Sequence, residues 1–354
     1  MRIATISTVL PQDSYSSEEL LRTSPCVLPE SVRQNIVNLG VAKRYLISSY
    51  RVHPEEATIE GEKQFIDLCS KACSQAVGEA DLRMKDVNYF ISTYDASPFL
   101  SPGLSQLLIP KLGLDPYVRH VNAHGIASTA FIKALELARN HLAVFPQHRV
   151  LACISGVSSF WFQNQVRGID HVLDIKQINS LNEDAKKNEE LRKWMATMQF
   201  FLFGDGVAAA IITSDDEGLT VGDIAEVTNV GASDYLAGYS RLTVLDEPFK
   251  FGFYSRLGRE IPELGAKYTK LALTRLLGDE MKPTIETAKK WAIHTGSGKI
   301  LDSLAEHNGI VPDKRGGPAV VRQTAARNRP PHAMTTARRA ARELLAGQAS
   351  QSPR

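Results

Sequence analysis

The chain has 354 residues and is 43% hydrophobic, which is enough for two packed units of ordinary domain size. Its formal charge of +2 indicates no particular partner, and its four cysteines fit neither a metal-ligand nor a disulfide pattern. Because no apolar run approaches the ~18 residues of a membrane span, we expect a soluble, cytoplasmic protein that makes no membrane contact and holds no metal.

Strands and helices alternate through the first 310 residues. The N-terminal stretch MRIATISTVL has a short alternating apolar run, which predicts a first strand and not a signal peptide. Short apolar runs bounded by turn residues predict buried strands over 87–93, 149–156 and 207–214. This alternation is typical of an α/β layered architecture.

Three helices are predicted between these strands. The first covers 60–78, with Cys69 and Cys73 on one face as small core residues. The second begins after Ser101 as its cap, with Pro102 at the first helical position. The third covers 127–143.

The stretch VRHVNAHGIASTAFIKALELARNH, residues 118–141, joins a strand to the third helix through a bend at Gly125. Such a bend resembles the nucleophile elbow of acyl-transfer enzymes, which presents a Ser or a Cys. Here the bend offers His124, and no cysteine occurs between positions 74 and 152. The pattern fits either an altered active site or no site at all. Ser128 is a weak alternative nucleophile and fits better as a helix-surface serine.

The polar segment after Gly168 departs from this alternation, so we predict an insertion over 168–199 within an N-terminal half that covers 1–218. Its mixed charge and few apolar anchors predict an exposed surface or interface helix, with a lid over a pocket as the alternative. A second α/β half follows over 219–311. There we predict a strand at GLTVGDIAEVTNVG, a long amphipathic helix at GREIPELGAKYTKLALTRLLG, and a strand, glycine turn and helix at KKWAIHTGSGKILDSLAEHNGI.

The C-terminal stretch 312–354 is a basic tail rich in Ala and Arg, with nine basic residues against two acidic ones and a net charge of +7. It contains no Phe, Tyr, Trp or Ile, so it cannot bury enough surface to offset its chain entropy, and we predict that most of it is disordered. Because no aromatic or ordered motif accompanies the charge, we predict no nucleic-acid partner.

Two further stretches could carry chemistry. In FFLFGDGVAAAII, Gly204 and Gly206 bracket Asp205 before a small-residue strand, a pattern that taken alone is usually structural. In WAIHTGSGKILDSL, His294 ends an apolar run and precedes a glycine bend into a helix. A histidine beside backbone amides at a helix start is a plausible acid/base group.

In this order, the elbow, RVLACISG, LFGDGVAAAII and AIHTGSGKILD resemble the thiolase-fold condensing enzymes over about residues 1–311. The nearest members are the type III polyketide synthases and the β-ketoacyl carrier-protein synthases III. The resemblance implies an α/β fold, a thiolase-like αβαβα layered sandwich of two related halves, of which the second is incomplete here. It also implies a homodimer.

The family's catalytic set is a Cys at the elbow, a His and an Asn. By resemblance the His falls on His294, and the Cys position falls on His124, or on Gly125 if the bend is aligned one residue later. Phe203 matches a pocket-bordering residue, and with Gly296 and Gly298 we predict that it lines the acyl-thioester site. A GNMSSA-like segment for the Asn does not occur in the tail. This abrupt change suggests a reading-frame shift or a truncation, which sequencing the gene would test.

The resemblance implies an acyltransferase that transfers an acyl group from a CoA or carrier-protein thioester, in secondary metabolism or fatty-acid biosynthesis. Because the elbow of this chain has no cysteine, the transfer is expected to proceed without a Cys-bound intermediate. The thioester would be a substrate, and no cofactor is expected. The alternative is a catalytically inactive homologue that acts as a partner subunit or binds acyl thioesters. The assembly would be a homodimer or a heterodimer with a related condensing enzyme.

Overall fold

The computed structural model describes residues 1–310 except 25, 42, 48–53, 95–98, 100, 158, 160–165, 167–168, 229–230, 232, 243–252, 259, 290 and 294–297. The predicted tail, His294 and Gly296 therefore lie outside the described residues.

A six-stranded mixed sheet forms the centre of the described chain. Its strands are β1 (Arg2–Val9), β4 (Tyr89–Tyr94), β5 (Arg119–His124), β6 (Val150–Gly156), β7 (Gly206–Thr213) and β8 (Leu219–Thr220). They lie in the order β5-β4-β6-β7-β1-β8, with β4 parallel to β5 and β6, and β7 antiparallel to β6 and β1. The four strands predicted from apolar runs are thus confirmed within two residues.

Helices cover both faces of this sheet. Helices α3 (Pro54–Glu79) and α4 (Leu104–Leu112) pack on one face, and α5 (Ala130–Val144) packs on the other. Cys69 and Cys73 are buried in the apolar cluster between α3 and the sheet, so their prediction as core residues is confirmed.

Helix α4 begins later than its sequence predicts. Its N-cap is Gly103, so the prediction of Ser101 as cap and Pro102 as first helical residue is wrong. The reason is a long-range contact: Asn122 on β5 accepts a hydrogen bond from the Ser105 backbone N–H at 2.8 Å. A strand residue therefore satisfies an amide that a local cap would otherwise serve.

The described residues between β6 and β7 include the helices α6 (Ile175–Asn179) and α7 (Asp184–Leu202). The prediction of an exposed helix is correct only for the first half of α7. Phe200 and Phe201 in its last turn are fully buried with Val32 and Ile36 of α2 (Glu30–Val37) in a second apolar cluster. The charged first turns dominate the composition of this segment and conceal its apolar C-terminal end.

A short helix and a two-stranded sheet lie beside α7. They are α1 (Ser17–Arg22) and the antiparallel pair β2 (Ser14–Ser16) and β3 (Lys43–Tyr45). Leu46, which follows β3, joins the same apolar cluster.

The segment after β8 contains the antiparallel pair β9 (Gly238–Leu242) and β10 (Phe253–Leu257), then α8 (Ile261–Leu277), α9 (Met281–Thr287) and α10 (Gly298–His307). The amphipathic helix predicted here is α8, which is confirmed, and it packs against α10. Two strand predictions are wrong. The first reduces to β8, and residues 291–293 before His294 are irregular. A strand needs a hydrogen-bonding neighbour, and an apolar run alone does not supply one.

None of the helices in the described ranges is both long enough and apolar enough to span a membrane.

Candidate active site

The predicted elbow is present where β5 meets α5. Strand β5 ends at His124, Gly125 adopts φ +74°, and a short 3₁₀ turn over Ala127–Thr129 precedes α5. Ala127 also has a positive φ, +45°, although it is not a glycine. Instead of lying on the apolar face that the helical pattern assigns to it, Ala127 is exposed. The bend therefore carries backbone strain one turn before the regular helix begins.

Replacing this strained alanine is expected to stabilise the fold. We predict that Ala127→Gly raises the free energy of unfolding by about 0.5–1 kcal/mol, because glycine adopts positive φ without a Cβ clash. Urea unfolding measures the change. The matched control is Ala143→Gly in the last turn of α5, which is expected to lower stability by about 0.5–1 kcal/mol. A loss of stability in both variants would contradict the strain.

His124 is exposed, and its ring lies over the ring of Tyr94. The two residues pair across the parallel strands β5 and β4, and their ring centroids are 5.5 Å apart with an interplanar angle of 12°. Tyr94 is only 6% exposed, and burial raises the pKa of its phenol. The His124 imidazole therefore stacks on the neutral phenol ring of Tyr94. Tyr94 was not predicted as a site residue, although it directly follows the predicted strand 87–93.

A polar clamp holds β5 to α4 two residues before His124. Asn122 Oδ1 accepts from Ser92 Oγ at 2.6 Å and from the Ser105 amide, while its Nδ2 donates to Gln106 Oε1 at 2.7 Å. Gly103 makes this approach possible, since a Cβ there would lie 2.6 Å from Asn122 Nδ2. The clamp fixes an edge strand that has a single neighbouring strand in the described sheet. Alternation along β5 places Asn122 on the same face as His124, which is the signal that could have revealed it.

The Ser105 hydroxyl also forms a hydrogen bond with His120 Nδ1 at 2.8 Å. A Ser–His contact of this length can activate a serine nucleophile. Ser105 is fully buried, however, so this contact adds to the clamp on β5 and offers no group to a substrate. Ser128, the alternative nucleophile, lies exposed on the 3₁₀ turn, in agreement with its prediction as a surface serine.

The Gly-Asp-Gly turn before β7 is a structural junction. The buried Asp205 carboxylate accepts hydrogen bonds from the Ile47 amide at 2.9 Å, from the Ser159 amide at 3.1 Å and from the Ser159 hydroxyl. The Asp205 amide in turn donates to the Tyr45 carbonyl at 2.8 Å. One carboxylate therefore ties β7 to the segments that follow β3 and β6, as the structural interpretation of this turn predicts.

Phe203 ends α7 and packs, half-buried, against the second apolar cluster. The start of β7 and His124 lie at the same end of the sheet. Gly206, the first residue of β7, pairs with Gly156 at the end of β6. The residue before Gly156 pairs with Tyr94, which in turn pairs with His124. Three strand spacings separate β5 from β7, which is about 14 Å. Phe203 and the His124 imidazole therefore lie at the same end of the sheet but not next to each other.

Three predicted site residues come from the stretch WAIHTGSGKILDSL, namely His294, Gly296 and Gly298. Of these, only Gly298 lies within the described residues, and it begins α10. The positions of His294 and Gly296 relative to His124 therefore stay a prediction.

All four cysteines are buried, and none lies at the elbow. Burial raises the pKa of Cys26 to about 11 and that of Cys69 well above its usual range, so both are thiols at neutral pH. His, Cys, Asp and Glu side chains in the described ranges form no group of three that could hold a metal ion.

A mixed sheet with helices on both faces and an elbow after its edge strand is the fold of thiolase-type condensing enzymes, as predicted. Neighbours among solved structures include type III polyketide synthases. Tetrahydroxynaphthalene synthase from Streptomyces coelicolor A3(2) superposes with a TM-score of 0.63 at 17% identity, over 88% of this chain and 82% of that one. The enzyme CsyB in complex with CoA-SH superposes with a TM-score of 0.65 at 18% identity, over 88% and 83%.

Curated relatives agree with this fold. The chain is 23% identical over 318 residues to 3,5-dihydroxyphenylacetyl-CoA synthase of Amycolatopsis balhimycina, which covers 87% of this chain and 77% of the relative. It is 22% identical to bisdemethoxycurcumin synthase of Oryza sativa subsp. japonica over 81% and 68% of the two chains. A β-ketoacyl carrier-protein synthase III of Clostridium perfringens is 23% identical over 73% and 71%. No protein-family model matches the chain. The resemblance to condensing enzymes is thus confirmed, since these relatives are synthases of the two predicted types.

Proposed function

We propose that this protein transfers an acyl group from a CoA or carrier-protein thioester to an acceptor without a cysteine-bound intermediate. The observation that carries the proposal is the elbow, which keeps the strand–bend–helix geometry of acyl-transfer enzymes and presents an exposed imidazole at its tip. The relatives are synthases, and CsyB is described in complex with CoA-SH, which supports a thioester substrate.

The bend supplies a place for the thioester oxygen. Gly125 and Ala127 have positive φ on either side of Ile126, a backbone alternation that can direct N–H groups at one anion, and α5 follows after the 3₁₀ turn. Backbone amides aimed at a developing oxyanion lower the barrier by about 3–4 kcal/mol for each donor. Some rate enhancement can therefore remain after the sulfur nucleophile is lost.

In the proposed reaction His294 removes a proton from the acceptor hydroxyl, amine or carbon acid. The acceptor then attacks the thioester carbonyl carbon, and the elbow amides stabilise the oxyanion. When this intermediate collapses, the C–S bond breaks and the leaving thiolate takes up a proton from an imidazolium. His124 serves as the second acid/base group, because imidazole is the side chain best suited to exchange protons near neutral pH.

The competing proposal is an inactive homologue that binds acyl thioesters or pairs with an active condensing enzyme. It is favoured by a specific observation: every cysteine is buried and none occurs between 74 and 152, so the elbow has no thiol.

Release of free CoA separates the two proposals. The protein is incubated with acyl-CoA, malonyl-CoA and candidate acceptors, and the free thiol is followed with a thiol reagent. We expect turnover that falls about 10²–10⁴-fold in His294→Ala, because a general base is lost. His171→Ala, which removes an exposed histidine outside the elbow, is the matched control and is expected to keep the full rate. Saturable binding of acyl-CoA without thiol release under any acceptor would support the inactive homologue instead.

We further propose a homodimer, or a heterodimer with a related condensing enzyme, in the cytoplasm. Support comes from the edge strand β5, whose outer side carries no strand in the described sheet, and from Tyr117 just before it, which is 92% exposed. An uncovered strand edge beside a large exposed ring is a surface that a partner can cover.

A further inference from the structure

Arg44 is a buried cation whose hydrogen bonds are incomplete. It lies in the centre of β3 between the exposed Lys43 and the half-buried Tyr45, and its side chain is only 2% exposed. The guanidinium carries five N–H donors and no acceptor. Burial lowers its pKa to about 10, so it remains charged at neutral pH.

One nitrogen of this guanidinium is satisfied by the protein. Nη1 donates to Ser17 Oγ at 2.9 Å, and the Ser17 hydroxyl in turn donates to the Val41 carbonyl at 2.6 Å. The other two nitrogens, Nε and Nη2, are buried and have no hydrogen-bond partner. No carboxylate in the described part of the chain forms an ion pair with Arg44. A buried charge without a partner is strongly unfavourable, so a compensating anion is needed.

The two unsatisfied nitrogens are adjacent on one edge of the planar group. The N–H bonds of Nε and Nη2 point in the same direction, which is the fork that binds two oxygens of a carboxylate or a phosphate. Two unsatisfied donors that lay far apart could each bind a separate water molecule, but these two donors are adjacent. The geometry favours one ligand with two oxygens.

The strand that carries Arg44 lies beside the turn before β7. A Cβ at Gly204 would be 3.6 Å from Arg44 Cβ, and the Asp205 amide is hydrogen-bonded to Tyr45. Leu46, two residues along from Arg44, shares its apolar cluster with Phe203. The strand that carries Arg44 and the predicted pocket-bordering residue Phe203 therefore lie in neighbouring parts of the fold.

We propose that Arg44 is an anion-binding residue whose Nε–Nη2 edge holds a small carboxylate or phosphate group, with Ser17 fixing the guanidinium in place. This inference does not depend on acyl transfer, since it rests on the contacts of the Arg44 guanidinium and not on the elbow.

Thermal unfolding with added anions tests the site. Sodium phosphate and sodium acetate are the two probes, each compared with sodium chloride at equal ionic strength. We expect the Tm of the unmodified protein to rise by about 2–4 °C as one or both probes reach saturation. A rise with phosphate identifies a phosphate group as the ligand, and a rise with acetate identifies a carboxylate.

Variants assign the effect to the fork. Arg44→Met is expected to weaken binding of the probe at least about tenfold, because two charge-assisted hydrogen bonds are lost. It is also expected to fold, and without probe to be as stable as the unmodified protein, since it removes an unpaired buried charge. Arg44→Lys keeps the charge without the fork and is expected to bind weakly. Lys43→Met is the matched control and is expected to respond fully. A Tm that responds no more to either probe than to chloride would overturn the proposal, as would an equal response in Arg44→Met.

Discussion

Asp205→Ala is expected to lower the free energy of unfolding by about 3 kcal/mol or more. The substitution removes the acceptor of two buried amides and one hydroxyl, those of Ile47 and Ser159, and leaves these donors without partners. Each hydrogen bond to a charged group contributes about 1.5–3 kcal/mol, and a buried donor left unsatisfied costs about 1–3 kcal/mol. The effect is large because this carboxylate joins three chain segments and not one.

Urea unfolding of the variant measures this loss. Asp205→Asn keeps one acceptor oxygen and is expected to be less damaging than Asp205→Ala. Asp216→Ala, on an exposed turn at the far end of β7, is the matched control and is expected to change stability by less than about 0.5 kcal/mol. If Asp205→Ala were no more harmful than this control, the turn would not hold the sheet edge together.

His124→Cys is expected to convert the elbow into a site that accumulates a covalent acyl adduct. A cysteine thiolate is strongly nucleophilic and the thioester it forms is stable, whereas an acyl-imidazole hydrolyses or transfers quickly. Incubation with acyl-CoA followed by intact mass spectrometry is expected to show one acyl group on His124→Cys and none on His124→Ala. Thiol release is expected to fall in His124→Ala, since an acid/base group is lost.

Ser128→Cys provides the matched control for this experiment. It places an exposed thiol on the 3₁₀ turn that follows the bend, away from the end of β5. Acylation of the thiol at 124 and not at 128 would support a bend that positions the thioester. Equal acylation at both positions would mean that only exposure matters, and the elbow would then lose its proposed role. Absence of any adduct on a thiol at 124 that still reacts with iodoacetamide would argue for the inactive homologue.

The two sets of variants probe different features of the molecule. The Asp205 variants test the stability of the fold, and the His124 variants test the reaction of the elbow with a thioester. Because the hydrogen bonds of Asp205 to Ile47 and Ser159 involve no elbow residue, the stability effect is expected whether or not acyl transfer occurs.

The sequence by itself determined the elements whose signal is local. The buried strands at 149–156 and 207–214 are short apolar runs between turn residues, and both form β-strands. The bend at Gly125 was also predictable, because a glycine after a strand and before an apolar helical face permits the positive φ that the turn adopts. These features depend on the residue and its immediate neighbours.

Only the tertiary structure decided the features that depend on partners distant in the chain. Asn122 caps α4 across 17 residues, and Tyr94 lies beneath His124 from a neighbouring strand. Ser17 binds one nitrogen of Arg44, and the other two nitrogens are buried without a hydrogen-bond partner. The buried end of α7 belongs with them, since its burial depends on α2 and not on its own charged composition. Hydrophobic periodicity shows which side of an element is apolar, but it does not identify the element that will cover it or the polar group that will meet it.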